Sequence, residues 1–307
     1  AGVFGKLSRL LNPPDQKLKV QNEKLLQDAG LRQRTAMLLC NLVADAPSHQ
    51  LQDFRKAGLL VPLLRWLVKY KADDEMTRLM LASIYHVILD VDNRNDFIKI
   101  KGLSLVAKML FVADKSHHLY IMLKIFETLS LNQECHEELL NTSVTSGPLK
   151  INIVVTLLSL MDSVPHLLIS ATALLANLSN SQLCREQIVS SNGVLLMCRL
   201  LNHEIEAVAA SACIVVTNLA KEDNVRQGIS SISFVPAALL RLTFSENRTE
   251  TQALGLAGLK NFLSFQSFSL KFLAEGGAER LWKMGKMVHN ANIHALAITC
   301  ITTLIFA

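Results

Sequence analysis

Apolar residues in this chain recur at helical spacing almost from end to end, and polar residues cut every apolar run before it reaches membrane-spanning length. Against that background one phrase returns. It reads Cys40-Asn41-Leu42-Val43, Ala176-Asn177-Leu178-Ser179, Thr217-Asn218-Leu219-Ala220 and Lys260-Asn261-Phe262-Leu263. Looser copies stand at Tyr85-His86-Val87-Ile88, Phe126-Glu127-Thr128-Leu129 and Thr302-Thr303-Leu304-Ile305. With the polar residue as marker, successive copies lie 41 to 50 residues apart. Helical sequence with such a period predicts stacked repeats sharing one continuous core.

The segments between markers share a grammar. About 16 residues after most markers comes a glycine: Gly58, Gly102, Gly147, Gly193 and Gly277, with Ser233 in the remaining unit. Glycine accepts the left-handed conformation that ends a helix. A short apolar helix follows, as in Leu59 to Leu67 or Val194 to Leu201, then a polar turn, then a longer helix leading to the marker. These signals place repeat boundaries near 58, 102, 147, 193, 233 and 277, within an array covering residues 30–307. Ahead of it, Val3, Phe4, Leu7, Leu10 and Leu11 predict a short amphipathic capping helix or docking segment, stopped at Asn12-Pro13-Pro14. Lys17 to Lys24 then reads as linker or a degraded first repeat, closing an N-terminal segment of residues 1–29. The longest interval, Glu127 to Asn177, holds Asn141 to Pro148, which reads as an extended loop between repeats.

One stretch carries the resemblance to a known family. Ala171-x-Ala173-Leu174-Leu175-Ala176-Asn177-Leu178-Ser179, followed by Cys184-Arg185-Glu186-Gln187-Ile188-Val189 and Ser191-Asn192-Gly193, resembles the armadillo repeat pattern; residues 194–277 match well and 30–147 more loosely. HEAT repeats are the near neighbour, but the third-helix Asn-Leu and the closing Gly favour armadillo. The resemblance implies an all-α fold, a right-handed α-solenoid superhelix of about six to seven repeats. It also implies that the marker residues Asn41, His86, Glu127, Asn177, Asn218 and Asn261 face a concave groove. There an Asn amide can hydrogen-bond both N–H and C=O of an extended peptide; the alternative is a bond to the neighbouring repeat's backbone. His86 and Glu127 break the ladder in the first repeats. Importin-alpha places Trp four residues before this Asn; here the equivalents are Met37, Ala82, Leu123, Ala173, Ile214 and Ala257, so lysine-rich localisation peptides are not the expected ligand. Arg34, Arg78 and Lys124 lie on or near the same helices, where beta-catenin-type arrays pair cations with acidic ligands; otherwise they are solvated charges.

Composition narrows the function. Half the residues are hydrophobic and only 19% are charged. A solenoid helix that packs against its own repeat and both neighbours is expected to be apolar nearly all round. The net charge of +5 is uneven: residues 1–110 hold 17 Lys/Arg against 11 Asp/Glu, the rest 14 against 15. A basic first third could meet an acidic peptide, an anionic surface or nucleic acid, but no aromatic-basic or zinc-finger motif supports nucleic acid. The six cysteines, Cys40, Cys135, Cys184, Cys198, Cys213 and Cys300, form no Cys-x-x-Cys and read as small buried hydrophobes in a reducing compartment. His117-His118 and Cys135-His136-Glu137-Glu138 concentrate ligand-type residues, but neither has the second pair a zinc site needs. No phosphate-cradling loop, nucleophile elbow or His-Glu-x-x-His occurs. No enzyme, cofactor, metal or small-molecule substrate is therefore expected.

The expected function is a scaffold or adaptor binding a peptide segment of a protein partner. The alternative is a regulatory module (a small-GTPase regulator, a motor or cytoskeletal subunit, or an autoinhibitory arm) acting through its convex face or edges. A cytoplasmic or nuclear location is expected, as is origin within a longer protein, since the chain lacks an initial Met. The apolar close at Ile298 to Phe306 leaves self-association open.

Overall fold

The computed structural model describes residues 2–111, 116–146, 149–244, 246–287 and 290–306. Gly147 and Pro148 lie outside them. The chain forms two compact units, Ala1–Ile151 and Asn152–Ala307.

Unit 1 is built of helix triplets, each short, short, then long. They are α1 (Val3–Leu11), α2 (Gln16–Leu25) and α3 (Ala29–Val43); α4 (Ser48–Lys56), α5 (Leu60–Lys69) and α6 (Asp74–Ile88); and α7 (Val91–Lys99), α8 (Gly102–Leu110) and α9 (Ser116–Leu129). After α10 (Glu134–Asn141) the chain pairs β1 (Ser143–Ser146) with β2 (Leu149–Asn152). Within the described residues, the segment expected as an extended loop thus contains a strand, Ser143–Ser146. Unit 2 begins with α11 (Ile153–Ser163), a 3-10 turn at Pro165–Leu167, and α12 (Leu168–Leu178). Three triplets follow: α13 (Gln182–Ser190), α14 (Val194–Leu200) and α15 (Glu206–Leu219); α16 (Asp223–Ser231), α17 (Val235–Leu242) and α18 (Thr249–Phe262); α19 (Gln266–Ala274), α20 (Gly277–Gly285) and α21 (Ala291–Ile305).

Local chemistry sets the helix starts. The carboxylates of Asp28, Asp73 and Asp90 accept the backbone N–H of Leu31, Met76 and Asn93, capping α3, α6 and α7. Asn152 and Asn290 do the same for α11 and α21. The long helices then stack on one another, α3 on α6 and α6 on α9 in unit 1, and α12 on α15, α15 on α18 and α18 on α21 in unit 2. The N-terminal helix packs on the array, since Phe4 of α1 meets Phe54 of α4 edge-on at 5.8 Å.

A recurring bond locks four long helices, α6, α9, α12 and α18, to the helices that follow them. Six residues beyond the last turn of each, a side chain of the following short helix donates to its terminal carbonyl. Arg94 Nε reaches Ile88 O at 3.0 Å, Arg185 reaches Ser179 O at 3.3 Å, and Ser269 Oγ bonds Leu263 O. A ring nitrogen of His136 lies 2.7 Å from Ser130 O in the same role. Helix C-terminal carbonyls have no partners of their own, and a donor there also meets the negative end of the helix dipole.

The glycines do two different jobs. Gly58 adopts φ +64° between α4 and α5, as its sequence role requires. At the equivalent turns the left-handed residue is the one before the aligned glycine: Lys101, Asn192 and Gly276, at φ 58°, 57° and 79°. Gly102, Gly193 and Gly277 are instead places of close approach. A Cβ on Gly102 would stand 2.5 Å from Phe97 Cε2, and one on Gly193 2.7 Å from Leu158 Cδ1; Gly277 is covered by the Phe272 ring in the same manner. Gly102→Ala is therefore expected to cost about 1–3 kcal/mol by overpacking, read as a lowered urea midpoint. Phe97→Leu in the same chain should recover part of that loss, whereas a backbone-strain effect would not respond to residue 97.

Candidate third-helix faces

The long helices expose one stripe each, spaced by one helical turn. In unit 2 the stripe runs through Ile169, Ala173 and Asn177 on α12, Ala210 and Ile214 on α15, and Ala253, Ala257 and Asn261 on α18. These side chains are partly exposed, while their helix neighbours Leu174, Leu175, Val215, Val216, Leu256 and Leu259 are fully buried. The face is floored by small aliphatic groups, with amides toward its C-terminal edge.

The three marker asparagines are not equivalent. Asn177 and Asn261 are part-exposed, and among the described residues Asn261 has no hydrogen-bond partner for its amide. Asn218 is only 7% exposed, and its Nδ2 donates to Ser179 Oγ at 2.9 Å. It serves the seam between adjacent repeats, as the alternative sequence reading had it, except that its partner is a side chain.

Unit 1 presents a different stripe. α3 exposes Arg34, Met37 and Asn41; α6 carries Arg78, Ala82, Tyr85 and His86 half-buried. On α9 the register is one residue off the sequence alignment. Phe126, Leu129 and Ser130 are buried like Leu175, Leu178 and Ser179, and Ser130 Oγ bonds Glu127 O just as Ser179 Oγ bonds Ala176 O. Thr128 therefore holds the place of Asn177, and Lys124 that of Ala173. Glu127 sits beside the marker place, and Leu123, aligned with the groove positions, is wholly buried. A lone Phe-x-x-Leu-Ser comparison could have shown this; the polar-residue marker misled because two polar residues are adjacent there.

The cations of this face differ as well. Arg34 is exposed, and its Nε donates to Gly30 O of its own helix at 3.2 Å. Arg78 grips Glu75 through two bonds of 2.8 and 2.6 Å. That fork raises the arginine pKa and lowers that of Glu75. Lys124 lies 2.9 Å from Glu127; burial works hardest against its charge, but the bond to Glu127 and the charges of Glu127, Tyr120 and Tyr85 together outweigh it and the pKa is raised. Both pairs are at least part-exposed, and such pairs contribute little to stability.

A second surface escaped the sequence reading. Val61, Leu64, Val68, Ile100 and Leu105 line an open trough of about 500 Å³ beside α5 and α8, edged by Arg65, Lys69 and Lys101 and by no carboxylate. Its parts are spread over 45 residues, and only packing collects them.

All six cysteines are free thiols. Burial pushes Cys184, Cys198, Cys213 and Cys300 up to about 12 and Cys135 to about 11, which makes them poor nucleophiles. Cys213 and Cys300 donate to Leu254 O and Leu256 O, joining adjacent long helices. Trp66 is core, but Trp282 is 61% exposed with Lys286 over its ring. No helix among the described residues is long and apolar enough to cross a membrane.

Short–short–long triplets with stacked third helices define an armadillo-like helical-repeat fold, an α-solenoid. A solved engineered protein shares it, with a TM-score of 0.75 at 18% identity over 99% of this chain and 68% of that one. A computationally designed armadillo repeat protein for modular peptide recognition aligns at 15% identity over 98% of this chain and 99% of its own, with a TM-score of 0.45. Another designed armadillo repeat protein gives 16% and 0.41, over 98% and 99%. No protein-family model and no curated protein matches the sequence.

Proposed function

We propose that this protein is a non-enzymatic scaffold that holds a peptide segment of a protein partner along the third-helix face of unit 2. The observation that carries the reading is the solvent-open row Ile169, Ala173, Ile214 and Ala257, with the unpaired Asn261 amide beside it. Burying such aliphatic surface yields roughly 25 cal/mol per Å², and the amide supplies a donor and an acceptor to an extended main chain. Small side chains leave room for the ligand's own, which suits an apolar segment. Inert thiols fit a binding rather than a catalytic role, and a cytoplasmic or nuclear setting belongs to the same reading.

The test is selection of displayed random peptides on the whole chain, followed by anisotropy titration of the winner. Ala257→Glu should weaken binding by at least about 100-fold, because a carboxylate is desolvated against apolar ligand atoms. Asn261→Ala should weaken it about 5–10-fold, the loss of one or two net hydrogen bonds. Equal affinity for wild type and both variants would remove the reading. A second reading, a regulatory surface away from these faces, draws on the trough edged by Arg65, Lys69 and Lys101, whose charge suits an acidic amphipathic segment. Peptides that survive Ala257→Glu but are lost on Lys101→Glu would move the function there.

A further inference from the structure

The paired histidines at the start of α9 do not stand alone. The N-terminus of α6 brings Asp74, 43 residues earlier in sequence, against them. His117 Nε2 lies 3.4 Å and His118 Nε2 3.3 Å from the same oxygen, Asp74 Oδ1, and the three ligand atoms all lie within 4.8 Å of one another. His118 Nε2 also donates to the Asp74 carbonyl oxygen at 3.1 Å, a proton it gives up when its lone pair turns to an ion. We infer that Asp74, His117 and His118 form a binding site for a divalent transition-metal ion of the zinc type, spanning two adjacent repeats.

Three features carry this. Adjacent residues on a helix point about 100° apart, yet here both imidazoles, with centroids 4.3 Å apart, turn a nitrogen to one carboxylate oxygen. The two nitrogen–oxygen separations are longer than charge-assisted hydrogen bonds, roughly 2.7–2.9 Å. They instead equal the edge of a tetrahedron whose centre is about 2.0–2.1 Å from each ligand, about 3.3–3.4 Å, the distances zinc keeps to nitrogen and oxygen. The donor set is two imidazoles and one carboxylate, which suits zinc, nickel, copper or iron rather than calcium or magnesium. Asp74 and His117 are exposed while His118 is nearly buried, so one ligand is fixed by packing and the ion has an entry path. Three protein ligands leave a fourth position for water or a partner's carboxylate. The ion would pin the N-termini of α6 and α9 together at the edge of the unit 1 face.

The experiment is competition titration of the whole chain with zinc against a chelating dye, and with cobalt by visible absorption. Wild type should bind one zinc, and cobalt should give the intense visible bands of a four-coordinate site. Asp74→Asn and His117→Ala, both at exposed positions, should each weaken zinc binding at least about 10-fold while the far-ultraviolet circular dichroism is unchanged. The thermal midpoint should rise with zinc in wild type and not in either variant. No zinc binding by wild type at 100-micromolar-order concentrations, or equal binding by wild type and both variants, would overturn the site.

Discussion

Truncating Phe262 to alanine should destabilise unit 2 by about 3–5 kcal/mol. Phe262 closes the long helix α18, is fully buried, and stacks on Phe268 of α19 with ring centroids 5.4 Å apart and planes 29° from parallel. Its removal deletes apolar contact on both sides of a repeat boundary, in a fully buried, close-packed setting that leaves little scope for collapse. Because repeats contact mainly their neighbours, the loss should be local. Hydrogen exchange of the α18 and α19 amides should speed by more than about 100-fold, while α3 and α6 in unit 1 stay unchanged. A uniform change over the chain would show that the array unfolds as one piece.

Arg185→Ala should follow closely, at about 2–4 kcal/mol. The guanidinium sits with its side chain 10% exposed and ties three repeats. Nη1 donates to Ser179 O and Asn180 O at 3.3 and 3.0 Å, closing the end of α12. Nε and Nη2 donate to Glu222 Oε1, just ahead of α16. Alanine would leave the carbonyls of α12 without their donor in a buried seam. Glu222→Gln should cost much less, about 1 kcal/mol, because that carboxylate is about a third exposed and screened. Arg185→Lys should restore less than half, since an ammonium cannot fork to both sides. If Arg185→Ala and Glu222→Gln proved equal by urea unfolding, the ion pair alone would account for the residue.

Some of this was legible in one dimension because it repeats. Arg185 and Gly193 stood out in the sequence as elements of the repeat phrase, and the structure supplies the reason: one caps the preceding long helix and the other admits the Leu158 side chain. The glycine argument was right for Gly58 and differently founded at Gly102, Gly193 and Gly277. A one-dimensional pattern shows where glycine recurs, not whether φ or a neighbouring ring demands it. Ala173, Ile214 and Ala257 were reached through the armadillo resemblance, as the residues four before the marker. Thr128 was not, because a one-residue slip between Glu127 and Thr128 is decided by which side chains fit the core.

Period, helix type and the apolar–polar stripe are local properties, set by spacing along the chain, and for this protein the sequence determined them: a helical repeat of a short and a longer helix, a marker on the longer one, and no run able to cross a membrane. What partners a side chain finds is decided by packing between segments some 40 residues apart. Only the tertiary structure turned Asn218 into Ser179's seam partner while leaving Asn261 open, gathered Val61 and Ile100 into one trough, and brought Asp74 against His117 and His118. The physical reason is that a hydrogen bond or a ligand set acts over about 3 Å, a distance that sequence separation does not encode.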